Sequence, residues 1–186
     1  FCGGKVRNGT VSQYLLKPFS FILHDFSSKI AEKLLKIALA VPPILFAWFM
    51  WKDFIVAPST QDVALFIPVL LLGALINFLV VQVLALTAFW TANNVAISAF
   101  NDMLFYVTSG KLFPLKYLTA IVPLWFVNLF PYRYIVGFPI DIYLGSLPTA
   151  QIVSGVLSQV VWIFLLVCVV NFMWQRGLRT YNSYGG

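Results

Sequence analysis

The sequence predicts an all-α membrane protein: a polytopic transmembrane helical bundle, four spans in this chain plus a re-entrant or interfacial helical hairpin. Three observations carry that expectation. Of the 186 residues, 61% are hydrophobic and only 10% charged, whereas a soluble domain is about 45–50% apolar and about a quarter charged. The mean hydropathy is +0.90. No Asp, Glu, Lys or Arg occurs from residue 63 to 101 or from 142 to 175, and charge-free apolar runs of about eighteen or more residues read as membrane-crossing helices. A soluble protein needs a polar surface, so soluble enzymes are excluded.

The spans follow in chain order within one transmembrane domain, 1–186. Residues 1–33 form a basic flank. The first span is 34–56, where Pro42 and Pro43 each lack a backbone donor and kink the helix or start its regular part. Trp48, Trp51, Lys52 and Asp53 mark its interface end, and residues 57–62 form a polar turn. The stretch 63–101 is too long for one helix, which would measure about 58 Å at 1.5 Å per residue against a hydrocarbon core of about 30 Å. The polar cluster Thr87, Trp90, Thr91, Asn93 and Asn94 divides it into spans 63–86 and 92–109. Residues 111–148 carry Pro114, Pro123, Pro131, Pro139 and Pro148 among Lys111, Lys116, Arg133 and Asp141. Their apolar pieces are too short to cross, which suits helices lying in or dipping into the outer leaflet. The last span is 150–174.

Net charge is +6, and its distribution fixes orientation. Lys5, Arg7, Lys17, Lys29, Lys33 and Lys36 precede the first long apolar run, and Arg176 and Arg179 follow the last. Positive ends stay cytoplasmic, and four crossings return both ends to one side, although the turn between the second and third spans lacks a positive charge. The alternative, a nucleic-acid surface, finds no motif. Cys2 lies in the flank and Cys168 in the last span, so both are expected as free thiols. His24 is the one histidine, which leaves no material for a Cys/His zinc site. The chain opens at Phe1 without Met, as expected of a fragment lacking an N-terminal part. Asn8-Gly9-Thr10 matches a glycosylation sequon but falls on the expected cytoplasmic side.

Chemistry-bearing residues are sparse, and no catalytic residue is expected. Asp102 is the one acid within an expected span, and an intramembrane charge is costly. Asn94, Ser98, Asn101 and Asp102 share one broad helical face. That face either lines a substrate path or packs against another subunit, or Asp102 simply pairs with a neighbouring helix or stays protonated. Ser154, Ser158 and Asn171 in the last span suit helix packing. A rival class, a polytopic membrane enzyme such as a lipid-modifying transferase, would draw on Arg133, Asp141 and Asp102.

The order of several short motifs then matters. Gly9 precedes Leu15-Leu16-Lys17-Pro18, and Phe89-Trp90 precedes a polar helix. Ser109-Gly110 leads to Phe113-Pro114-Leu115, Pro123, Pro131-Tyr132-Arg133-Tyr134, Phe138-Pro139 and Leu144-Gly145. This order resembles the membrane subunit of type-2 ATP-binding-cassette (ABC) exporters, the six-span bacterial permeases. The resemblance implies that two spans precede Phe1. It implies an extracytoplasmic re-entrant hairpin containing Pro114, Pro123, Pro131, Arg133, Pro139 and Gly145. It further implies a bacterial cytoplasmic membrane, a second permease subunit (identical or homologous) and a cytoplasmic ABC ATPase. The segment Gly9, Leu15, Leu16, Lys17 and Pro18 would couple to that ATPase. No GxxxxGK[ST] motif occurs here, so ATP and Mg are expected on the partner ATPase and no cofactor on this chain.

Overall fold

The computed structural model describes residues 21–50, 58–91, 95–111 and 123–180. Among these every regular element is helical: α1 (Phe21–Met50), α2 (Thr60–Leu86), a 3-10 turn (Thr87–Phe89), α3 (Val95–Thr108), α4 (Leu124–Asn128), a second 3-10 turn (Pro131–Tyr134), α5 (Gly137–Tyr143) and α6 (Thr149–Thr180). Stretches within α1, α2 and α6 are each long and apolar enough to cross a membrane: Phe26–Met50, Thr60–Phe89 and Thr149–Gly177.

Two compact units divide the described chain, one holding α1 and the other residues 58–180. Helix α1 begins well before the apolar run expected to span from residue 34. Ser27, Ser28, Lys29, Glu32 and Lys33 make the stretch just ahead of that run polar, and Glu32 joins Lys29 (3.4 Å) and Lys36 (2.6 Å) at i,i+3 and i,i+4 spacing. Helix and membrane span are therefore different lengths of the same element. The helix runs through Pro42 and Pro43.

In the second unit, α2 starts on a capping box. Ser59 Oγ accepts from the Asp62 N–H at 3.2 Å, while an Asp62 carboxylate oxygen accepts from the Ser59 N–H at 3.3 Å. The helix ends where the polar cluster begins: Thr87 Oγ1 donates to the Leu84 carbonyl and Thr91 Oγ1 to the Thr87 carbonyl. Such side-chain bonds offer the backbone an alternative to continued helix.

Helices α2 and α6 pack along each other and run parallel. Near their first turns, Gly145 lies against Asp62 and Phe66 meets Tyr143 edge-on at 5.5 Å. At mid-length Gln159 reaches Val69. At the far end Phe89 packs on Gly177 and meets the Trp174 ring at 6.0 Å. The core lies along this seam, with Val69, Ile76, Leu79, Leu86, Leu166 and Val170 buried. Within the expected span of 92–109 the described helix is α3, Val95–Thr108. Its described 14 residues measure about 21 Å, less than a hydrocarbon core of about 30 Å. Helix α6 continues past the expected end at 174 to Thr180.

Candidate functional site

The element that sets this bundle apart is the segment 123–148, made of pieces too short to cross. Pro123 caps α4. Pro131 opens the second 3-10 turn at a position that needs no N–H. Tyr132, Tyr134, Ile135 and Phe138 are buried, as are Gly137 and Pro139 within α5. Irregular backbone at membrane depth survives only where protein covers it, and here the cover is α2 on one side and α6 on the other.

Two glycines make the seat. A Cβ on Gly73 would stand 2.9 Å from the Tyr134 carbonyl oxygen and 3.0 Å from that of Ile135. A Cβ on Gly155 would stand 2.2 Å from the Phe138 ring. The bottom of the hairpin thus touches the α2 backbone at Gly73, thirteen residues or about 20 Å beyond Thr60. From there α5 climbs back to Gly145, whose φ of +61° favours glycine and whose place beside Asp62 leaves little room.

Gln159 fastens this bottom. It is fully buried on α6, and its Nε2 donates to the Val69 carbonyl at 3.0 Å and to the Tyr134 carbonyl at 2.9 Å. One amide thereby ties three elements together. Sequence reasoning passed over Gln159. The available signal was a glutamine inside a charge-free apolar run, a polar group that lipid does not satisfy.

Arg133 and Asp141 occupy the open side. Arg133 Nη1 donates to Asn128 Oδ1, and Nη2 lies 3.9 Å from Asp141 Oδ2, beyond hydrogen-bond reach. Burial pushes the Asp141 carboxyl above its ordinary value, with the Arg133 charge pulling the other way. A cavity of about 550 Å³ opens between the hairpin and the first turns of α6, with Arg133, Trp125 and Ser154 among its walls.

The polar face expected on the third span falls on α3. Asn101 Oδ1 accepts from the Tyr132 hydroxyl at 2.7 Å, and Phe105 meets the Tyr132 ring edge-on at 6.0 Å. Asn101 Nδ2 approaches Asp102 Oδ1 at 3.4 Å. Asp102 itself is exposed and Ser98 is half-buried. Of the three groups a membrane enzyme would need, Arg133 and Asp141 lie 3.9 Å apart, while Asp102 approaches Asn101, which accepts from Tyr132 of the hairpin. Among the described residues no group of three His, Cys, Asp or Glu could hold a metal. Ser154 and Ser158 donate to the carbonyls of Gln151 and Ser154 on their own helix, and Cys168 is a free thiol. Asn94, Pro114 and the residues expected to couple to an ATPase, Gly9, Leu15, Leu16, Lys17 and Pro18, lie outside the described residues.

An all-α bundle with three helices long and apolar enough to cross a membrane fits the family expectation drawn from the motif order. Comparison with curated proteins and with solved structures gives no significant match. Comparison with protein families does: the model for ABC-2 family transporter proteins matches residues 1–185. The chain belongs to the ABC-2 transporter family, as a multi-pass membrane permease of an ABC transporter.

Proposed function

We propose that this permease is the membrane subunit of an exporter that moves substrate by alternating access, powered by ATP hydrolysis on a separate ATPase subunit. The observation that supports this reading best is the wedging of the hairpin between two parallel helices. Gly73, Gly155 and Gln159 hold its bottom to α2 and α6 together. A push at the far ends of α2 and α6, near Phe89 and Gly177, carries the hairpin with them as one body. Helix α3 meets the hairpin through a hydrogen bond and ring contacts at Tyr132, a joint that can break and reform. That provides the two-state element which a nucleotide-driven partner biases.

In this reading the basic ends face the cytoplasm of a bacterium, and the end holding Asp62, the hairpin and Thr149 faces outward. Two permease subunits, identical or homologous, enclose the path, with Ser98, Asn101 and Asp102 on its wall. The family implies an ABC ATPase partner, and ATP and Mg²⁺ belong to that chain. On α1 Lys29 already pairs with Glu32, so the weight of docking falls on Leu15, Leu16 and Lys17.

The double change Leu15→Glu with Leu16→Glu tests the coupling. It should leave membrane insertion intact while abolishing co-purification with the ATPase and transport-stimulated ATP hydrolysis. Full retention of both sinks the reading. Orientation is checked by cysteines at Gln61 and Ser183, of which only the first should react with an impermeant thiol reagent from outside.

A further inference from the structure

We propose that the cavity between the hairpin and the first turns of α6 is a phospholipid site, with the headgroup phosphate held at Arg133 and an acyl chain along the α6 face below. The proposal rests on the chain being embedded in a membrane, not on its transporting anything.

The guanidinium is under-used. Of its five N–H groups, one donates to Asn128 Oδ1. Asp141 stands at 3.9 Å from Nη2, too far to accept a hydrogen bond. Among the described residues the buried Nε–H has no acceptor. Only 13% of the side chain is exposed, so water does little to replace the missing partners. A group that satisfies several guanidinium N–H at once is a planar or tetrahedral oxyanion, and phosphate is the one a bilayer offers in abundance.

The walls specify the rest of the ligand. Trp125 is 70% exposed at the cavity rim, the placement of an interfacial ring. On α6 the cavity residues Ser154 and Ser158 continue at helical spacing into Val161, Leu165 and Phe172. Those three are 56%, 47% and 60% exposed. Ser158 to Phe172 spans about 21 Å of helix, the scale of an acyl chain. The stripe is therefore polar at the Arg133 end and apolar beyond it, the polarity of one lipid molecule. A free anion would leave the apolar part unused.

The test uses the detergent-purified full chain and follows thermal unfolding during titration with four probes. Dihexanoyl phosphatidylglycerol and dihexanoyl phosphatidylcholine share the phosphate; dihexanoylglycerol lacks it; inorganic phosphate lacks the chains. Both phospholipids should raise Tm saturably, and neither dihexanoylglycerol nor inorganic phosphate should match them. Arg133→Gln should weaken phospholipid binding on the order of tenfold or more, since a charged hydrogen-bond donor is lost, and Arg133→Lys by less. Because Arg133→Gln could disturb the hairpin, Ser158→Trp provides a second variant that fills the cavity without touching the guanidinium. It too should abolish the shift. An undiminished shift in either folded variant overturns the site. An equal shift from inorganic phosphate overturns the lipid assignment, and an equal shift from dihexanoylglycerol overturns the role of Arg133.

Discussion

The Gln159 side chain donates to the Tyr134 carbonyl at 2.9 Å from ninety residues' distance to its other acceptor, Val69, at 3.0 Å. A helix that spans the membrane thereby holds both a neighbouring helix and the bottom of a hairpin that does not. Replacing this amide by Leu removes both donations in a site closed to bulk solvent. The expected cost is about 1–3 kcal/mol for the groups left unsatisfied, read as a lower unfolding midpoint in detergent. Gln159→Glu should cost more, because a carboxylate accepts where both neighbours are carbonyls. A midpoint unchanged in both variants overturns the clamp.

Gly73 and Gly155 should respond differently to the same methyl group. At Gly73 the clash is with two backbone carbonyls, at 2.9 Å and 3.0 Å, and neither can rotate away. Gly73→Ala should displace the hairpin and abolish transport while insertion remains normal. At Gly155 the clash is with the ring of Phe138, which is 98% covered and has an edge-on neighbour in Tyr134 at 5.9 Å. A smaller side chain there makes room. Phe138→Leu should therefore restore much of what Gly155→Ala loses, and leave Gly73→Ala unrescued. Rescue of both, or of neither, contradicts the seat described above.

The two long apolar runs around residues 63–86 and 150–174 were legible because charge-free length has one physical meaning in a chain this apolar. The end of α2 was legible at Thr87 and Thr91, whose hydroxyls do bond nearby carbonyls. The start of α1 ahead of residue 34 was not legible from hydropathy, which marks the lipid-facing part of a helix, whereas Glu32 with Lys29 and Lys36 supports helix outside that part. The seat was hidden for another reason. Gly73, Gly155 and Gln159 are far apart in sequence, and the parallel packing of α2 and α6 that brings them together is a tertiary fact with no local signature. Arg133 was visible as a charge among prolines, but its shortage of acceptors was not.

Acid should act through Asp141. Its carboxyl titrates above the ordinary value of 3.8, because burial disfavours the charged form more than Arg133 favours it. A raised folded-state pKa means the folded protein binds the proton more tightly than the unfolded chain does. That contribution to stability is fully present below 3.8 and is lost as pH rises through the raised value. Asp141→Asn should remove this part of the pH dependence. Arg133→Gln should move it to higher pH, since the opposing charge is gone. Unfolding midpoints measured across the acid range in the three proteins check both statements, and identical profiles would refute the assignment to Asp141.

The joint between α3 and the hairpin gives the sharpest separation of stability from mechanism. The Tyr132 hydroxyl donates to Asn101 at 2.7 Å, and Asn101 in turn approaches the exposed Asp102 carboxylate at 3.4 Å. Tyr132→Phe deletes one hydroxyl and keeps the ring packed on Phe105. Asn101→Ala deletes its acceptor. If the two changes act through one hydrogen bond, their effects on the unfolding midpoint are not additive, with a coupling of about 0.5–1.5 kcal/mol. A joint that works only as glue lowers stability and leaves the transport rate per folded molecule unchanged. A joint that must break and reform shifts the balance between two states, so Tyr132→Phe should alter transport-stimulated ATP hydrolysis by severalfold while expression and insertion stay normal. Asp102 separates the remaining alternatives. On a hydrated path wall Asp102→Leu impairs transport and Asp102→Asn is milder, because the amide keeps polar contact with Asn101. Normal transport by Asp102→Leu removes Asp102 from the path and leaves Tyr132 and Asn101 as a structural joint.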